Sequence, residues 1–323
     1  MLKKIVYPEF FQGKLNKKAY FEGWYYKLVA LDQSYSLALI PGVSLNPKDP
    51  HAFIQVFFMG HGKLPKLKTY YVRYGIDQFS TTDDTFSVTI GQSRFSKTAI
   101  DLDISIDDLS LSGHIDIKDI TPIQRHLLMP NIMGFFGYFS FMECYHGVVS
   151  LTHQIAGDLI FNDLVLSFTG GKGYIEKDWG KSFPRAYVWI QTNHFKEPSA
   201  SFMFSYADIP FLGFYFKGLI SILYVNQKEY RFATYNFSKV KREIISENTV
   251  CYTLKKGRYR LEFCAQKDES VDLASPKNGL MNQTIKEGLS GEVFVKLWRR
   301  KTLIFDDHGT SAGIEIMKEK TTD

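Results

Sequence analysis

Period-two alternation of apolar and polar residues is the feature that most restricts what this chain can fold into. From residue 100 onward, Ile100, Leu102, Ile104 and Ile106 take one parity while Asp101, Asp103, Ser105 and Asp107 take the other. This is the pattern of a strand with one buried face. Asp107-Asp108 supplies a turn, and Leu109, Leu111, Ile115 and Ile117 then resume the alternation against Ser110, Ser112, His114 and Asp116, which predicts a hairpin. Further strands are expected over residues 36–40, 53–58, 70–76 and 86–90. In the second half, Val250, Tyr252 and Leu254, then Tyr259, Leu261 and Phe263, then Val293, Val295 and Leu297 read as inward faces. Long helical periodicity is nearly absent. Many short antiparallel strands must close into barrels or stack as sandwiches to avoid open edges, so the expectation is an all-β protein with few short helices.

The chain has 323 residues, long for one domain of about 100–200 residues. A modest shift in composition between Leu151 and Gly171 puts the expected division at domains 1–160 and 161–323. Aromatic residues reach 15%, which favours strands and flat apolar walls. Lys and Arg number 39 against 34 Asp and Glu, a net charge of +5. That excess is too small and too dispersed to make nucleic acid the expected partner, but it is compatible with an anionic membrane surface. Lys256, Arg258 and Arg260 form a basic strand face, either solvated or a membrane-surface patch. Cys144, Cys251 and Cys264 are an odd number without CxxC spacing, so neither a disulfide framework nor a zinc site is expected, and a reducing cytoplasm fits. The basic start Met1-Leu2-Lys3-Lys4 lacks the apolar core of a signal peptide. Two apolar stretches, residues 127–151 and 210–225, are too broken or too short to span a bilayer, and are expected to be buried strands and turns.

Standard catalytic signatures are missing. Thr169-Gly170-Gly171-Lys172-Gly173 lacks P-loop spacing and reads as a tight turn, while His146 and His153, seven apart, fall on opposite faces of a strand, which argues against a shared metal. Chemistry concentrates instead in four segments dense in aromatic and polar residues, 20–27, 142–147, 173–184 and 189–195. Extended, the first puts Glu22, Trp24 and Tyr26 on one face and Phe21, Tyr25 and Lys27 on the other. The second sets Glu143 and Tyr145 against Cys144 and His146. In the third, Tyr174, Glu176 and Asp178 align with Lys177 opposed, and carboxyls two apart on a strand lie roughly 7 Å from each other. Buried like charges at that spacing let one group hold a proton at neutral pH. The fourth offers Trp189, Gln191 and Asn193 on one face.

Each of these residues also has a structural reading. Trp24, Trp179 and Trp189 are of a type more often found in a core than against a ligand, and Glu22, Glu143 and Glu176 could pair with Lys27, Lys177 or Arg185, since a buried carboxyl needs a partner.

The segments FEGWYYK, MECYHG, GYIEKDWGKSFP and VWIQTN, followed by Leu273-Ala274-Ser275-Pro276 and Val295-Lys296-Leu297-Trp298, together resemble the tocopherol cyclase family, in the family's order, from about Tyr20 to Ile316. Asp178 stands where the family run carries asparagine. The resemblance implies two lipocalin-like antiparallel β-barrel or β-sandwich domains and closure of a chromanol ring from a prenylated hydroquinone. No metal, nucleotide or redox cofactor is implied. That chemistry adds a phenolic hydroxyl across an alkene and needs a dry pocket, an acid and rings to face a developing cation. The candidate acids are Glu176 with Asp178, then Glu22, then Glu143, with Tyr174 or His146 receiving the phenolic proton. Trp24, Tyr26, Tyr145, Trp179 and Trp189 are the expected lining, and Gln191 or Asn193 would orient the quinol hydroxyls. The expected partner is a hydrophobic isoprenoid or lipid ligand, met by a cytoplasmic protein in peripheral contact with membrane. A non-catalytic carrier and an isoprenoid hydratase are the competing readings.

Overall fold

The computed structural model describes residues 2–62, 64–211 and 214–318. Strand makes up 65% of the described residues and helix 5%, as the alternation predicts. The only α-helix among the described residues is the five-residue α1 (Leu2–Val6). None of their helices is long and apolar enough to cross a membrane.

Two compact units divide the chain. The first holds Met1–Ile132, Cys144–Phe183 and Leu273–Thr284. Its strands are β1 (Phe21–Val29), β2 (Tyr35–Ser44), β3 (His51–Gly60), β4 (Leu67–Tyr74), β5 (Phe79–Thr81), β6 (Ser87–Ile90), β7 (Ser93–Ser96), β8 (Ala99–Ile106), β9 (Leu109–Thr121), β10 (Cys144–Phe161), β11 (Leu164–Ser167) and β12 (Gly171–Gly180). They form one antiparallel sheet in the order β4-β3-β2-β1-β12-β10-β9-β8-β7-β6-β5, with β11 added to β10. Its curl encloses a core from one parity of each strand, including Trp24, Tyr26 and Leu28 of β1 and Ile100, Leu102 and Ile104 of β8. At the turn, Ile106 is exposed. Gly113 and Gly157, with φ of 134° and 125°, sit where β9 and β10 approach so closely that a Cβ on either would lie under 2.5 Å from a partner carbonyl oxygen. Only glycine fits there.

The second unit holds Met133–Glu143, Pro184–Asp272 and Ile285–Asp323. Its sheet is built from β13 (Tyr187–Thr192), β14 (Ser201–Phe211), β15 (Phe214–Val225), β16 (Lys228–Ala233), β17 (Lys239–Ile245), β18 (Thr249–Lys256), β19 (Tyr259–Gln266), β20 (Val271–Lys277), β21 (Leu280–Arg299) and β22 (Thr302–Met317). The order is β16-β15-β14-β13-β22-β21-β19-β18-β17, with β20 paired to β21. Val250, Tyr252, Leu254, Leu261, Phe263, Val293, Val295 and Leu297 all enter its core, as their parity predicts.

Three expectations change. A division at residue 160 would separate β12 from β1 and β10, both of which it pairs with; the chain instead leaves the first unit at Phe183, and the hairpin segment Leu273–Thr284 returns to it. There Gln55 exchanges two hydrogen bonds with the Ala274 backbone, at 3.0 and 3.1 Å. Second, Cys251 and Cys264 face each other across the β18–β19 hairpin and are disulfide-bonded, a pairing set by the hairpin register and not by any CxxC spacing. The pairing removes the cysteine-based ground for a reducing compartment. Third, the stretches 127–151 and 210–225 are not wholly buried, because Leu127, Leu128, Phe141, Phe214 and Tyr215 are exposed. Leu212 and Gly213 lie outside the described residues.

Candidate active site

Strands β1, β12 and β10 lie side by side at the centre of the first sheet, and their registers sort the candidate residues onto two faces. Trp24 is opposite Lys177, and Lys177 is opposite Gly147; Gly23 is opposite Asp178, and Asp178 is opposite His146. Glu22, Trp24, Tyr26, Tyr145, Lys177 and Trp179 therefore face the core. Tyr174, Glu176, Asp178 and His146 face away from it, beside Tyr25 and Lys27.

On the core face, the Glu22 carboxylate is fully occupied. It accepts the backbone N–H of Gln12 at 2.8 Å and of Gly13 at 3.0 Å, the Tyr20 hydroxyl, and an ion pair from Lys177. The Lys177 ammonium also donates to the carbonyls of Pro8 at 2.7 Å and Phe10 at 2.6 Å, and lies over the rings of Trp24 and Trp179. Burial pushes its pKa down to about 8 against the opposing pull of Glu22. Trp24 donates its indole N–H to the carbonyl of Glu9 at 2.7 Å. Four donors use the acceptor sites a carboxylate offers, which leaves Glu22 no free oxygen lone pair to turn toward a ligand. Its role is to tie residues 8–13 into the sheet, which places it with the structural reading of a paired buried carboxyl. Trp24, Tyr26 and Trp179 belong to the core, with Tyr145 stacked on Trp179 at 5.4 Å. Tyr26 donates to the Ser96 carbonyl at 3.0 Å.

The outward face carries a cluster of proton-bearing groups, two of its three contacts hydrogen bonds and the third an ion-pair distance. Tyr174 donates to Glu176 Oε2 at 2.5 Å; the same oxygen lies 3.5 Å from His146 Nε2; His146 Nδ1 lies 2.9 Å from Asp178 Oδ1. Glu176 is buried and the His146 side chain is 14% exposed. Burial alone would discharge the imidazole, but Asp178 and Glu176 outweigh it and raise the pKa to about 9. At neutral pH the group is an imidazolium between two carboxylates. Burial, the Glu176 charge and the hydrogen bond to it keep the Tyr174 phenol protonated. The donor atoms of His146, Glu176 and Asp178 fall within 4.8 Å of one another; a metal there would first have to displace the imidazolium proton. His153, by contrast, packs against Gly173, accepts or donates at Ser150 at 2.9 Å, and is held neutral by burial at about 3. The two histidines share no site.

The remaining candidates lie apart from this network. Glu143 is half-buried in the bend before β10 and is counted with the second unit. Trp189 and Gln191 are buried on β13 of the second unit, on the parity opposite Val188 and Ile190, which enter that core; buried Asn193 follows the strand. In that unit, sequence reasoning passed over Tyr187, which donates to Glu315 Oε2 at 2.5 Å. It also missed Tyr20 and residues 8–13. Tyr20 shares the parity of Glu22, which was a usable signal, whereas the contacts of residues 8–13 depend on packing with no local pattern.

The fold defines a class: all-β proteins of two large antiparallel sheets. Within that class the chain belongs to the tocopherol cyclase-like family, whose sequence profile matches residues 124–317. No curated protein sequence matches it. Among solved structures it resembles CghA with a TM-score of 0.62, at 10% identity over 94% of this chain and 90% of that one, and CghA bound to Sch210972 with a TM-score of 0.57, at 10% identity over 93% and 89%. It also resembles the AttH-like protein of Nitrosomonas europaea (TM-score 0.55, 14% identity, 96% of each chain) and kievitone hydratase of Nectria haematococca (0.52, 11%, 95% and 93%). At these identities the likeness is one of fold.

Proposed function

We propose that this protein is a cyclase- or hydratase-type enzyme that closes a ring in a prenylated quinol, or a related isoprenoid lipid, by adding the phenolic oxygen across an alkene of the tail. The observation that carries the proposal is the partly buried cluster Tyr174, Glu176, His146 and Asp178, in which His146 Nε2 lies 3.5 Å from Glu176 Oε2, a set of groups that can both give and take a proton. Family membership supports it, and the ligand seated in a structure of the same fold supports small-molecule binding.

The proton count closes without a cofactor. Transfer from His146 Nε2 to Glu176 Oε2 converts imidazolium and carboxylate into imidazole and carboxylic acid. Glu176 then protonates the less substituted alkene carbon, leaving a tertiary cation and a carboxylate. The phenolic oxygen bonds to the cation, and its proton passes to His146 Nε2, restoring the starting state. The carboxylates of Glu176 and Asp178 stabilise the cation electrostatically, Asp178 holds the imidazole in place, and Tyr174 fixes the Glu176 carboxyl. With water in place of the phenol, the same groups hydrate the alkene.

The test is incubation of the purified protein with a panel of prenylated quinols, following chromanol and tertiary alcohol by chromatography. Glu176→Gln keeps shape and should keep ligand binding while turnover falls by at least ~100-fold. Turnover by Glu176→Gln at the parent rate would refute the assignment. A parent protein that binds these quinols and converts none would put the carrier reading first.

A further inference from the structure

The second unit displays an aromatic surface that its core does not explain. Phe135 and Phe141 in residues 133–143, Phe214 at the start of β15, and Phe237 in the turn before β17 are 42%, 56%, 79% and 88% exposed. Rings link much of this surface: Phe136 stacks on Phe135 at 4.5 Å and on Phe216 at 5.8 Å, Phe139 stacks on Phe141 at 5.3 Å, and Tyr235 meets Phe135 at 6.5 Å. Single exposed apolar residues are ordinary, but contiguous large ones mark a docking surface.

Backbone strain makes the same point independently. Phe237 adopts φ 62°, ψ 23°, a left-handed conformation that costs a bulky residue on the order of 1–2 kcal/mol. The turn is held by the Asn236 side chain, which accepts from Ala233 N at 3.0 Å, donates to Arg231 O at 3.1 Å and accepts from Ser238 Oγ at 2.6 Å. The nearly bare ring is therefore presented by a built turn.

Charge identifies the occupant. Lys239, two residues beyond Phe237, lies directly opposite Lys255 across β17 and β18, and both are exposed. Like charges in facing positions destabilise a sheet unless an anion meets them. The Lys256 ammonium donates to Arg231 O at 3.0 Å, which brings the basic strand end beside the same turn. Exposed aromatic rings bordered by lysines match the interface of an anionic bilayer, where rings enter the headgroup boundary and ammonium groups meet phosphates.

We propose that this face, carried by Phe135, Phe141, Phe214 and Phe237 with Lys239 and Lys255, docks the protein on anionic membrane. The proposal deepens the functional reading above, since a lipophilic quinol resides in the bilayer, but its test is separate. The full-length protein is sedimented with phosphatidylglycerol/phosphatidylcholine vesicles and with phosphatidylcholine vesicles alone. The parent should partition at least tenfold better onto the anionic vesicles, less so as salt rises. Phe135→Ser/Phe214→Ser/Phe237→Ser and Lys239→Glu/Lys255→Glu should each lose at least tenfold, with unchanged circular dichroism. Parent protein that stays in the supernatant, or variants that bind as the parent does, would overturn the proposal. So would a parent dimer dispersed by the same substitutions, which would assign the face to a second copy. Vesicle binding without quinol turnover would sink the functional reading and leave this one standing; turnover of detergent-dispersed quinol without vesicle binding would do the reverse.

Discussion

The charge on His146 can be read out as a pH-dependent stability. Its pKa rises from 6.5 to about 9 because Asp178 and Glu176 outweigh the burial that opposes charging. A tenfold change in proton affinity is worth about 1.4 kcal/mol, so this rise is linked to about 3 kcal/mol of folding stability. The sign follows from proton counting. Between pH 6.5 and 9 the folded protein keeps a proton that the unfolded chain has lost, so the stabilisation is complete below 6.5 and disappears as pH climbs through 9. Lys177 runs the other way: burial lowers it from 10.5 to about 8, so the unfolded chain binds more protons between 8 and 10.5 and this group's contribution rises with pH. The parent profile mixes the two, and a difference isolates His146. His146→Gln preserves a donor for Asp178 but has no titrating proton. Urea unfolding followed by tryptophan fluorescence from pH 6 to pH 10 should show the variant less stable by about 3 kcal/mol at pH 6, with the gap closing to under about 1 kcal/mol by pH 10. A gap that stays constant across this range would refute the assignment of the imidazolium to this network. In the proposed reaction, kcat/KM of the parent should fall over the same upper limb.

Breaking the core-face ion pair should act on stability. Glu22→Gln and Lys177→Met each leave a partner buried and unpaired, and should each cost about 3–5 kcal/mol in urea unfolding, while the double variant should cost less than their sum. Amide exchange at Gln12 and Gly13 should quicken in Glu22→Gln, since both N–H groups donate to that carboxylate. Gly173→Ala would place a Cβ 2.1 Å from His153 Nε2, an overpacking worth about 1–3 kcal/mol. Thermal denaturation should show the loss, and adding His153→Ala should relieve it.

Much of the fold was legible because period two is a local signal. Ile100 to Ile104 and Val293 to Leu297 declare an inward face without reference to any partner. The division at 160 failed for the converse reason: β12 joins β1 and β10 through registers such as Trp24 with Lys177, more than 150 residues apart, and composition does not encode that pairing. Cys251 and Cys264 were missed for a different reason: both strands of their hairpin were read, but not the register that sets the two side chains opposite each other. At the site, parity correctly set Tyr174, Glu176 and Asp178 against Lys177. Which face was the core was not readable, because Ile175, Lys177 and Trp179 on one side and Tyr174 and Glu176 on the other are both buried, and alternation assigns polarity only where one face is wet.

This double burial explains how one short run can do two unrelated jobs. Along Tyr174-Ile175-Glu176-Lys177-Asp178-Trp179, odd positions look into the core and even positions away from it. Lys177 is held inside by Glu22 and two carbonyls, an arrangement that fixes β12 against β1 and anchors residues 8–13. Glu176 and Asp178, one residue to either side, are thereby held on the opposite face, close enough to one imidazole to keep it charged. A strand that slipped by one residue would exchange the two sets, burying two carboxylates among Trp24 and Tyr26 and removing the ammonium paired with Glu22. The buried ion pair is thus a register lock for the proton network, and the site's geometry depends on a residue that faces away from it. Neutralising Lys177 should therefore loosen the site through the strand register, whereas neutralising Asp178 should act on His146 directly, removing both its hydrogen bond and part of the stability linked to its charge.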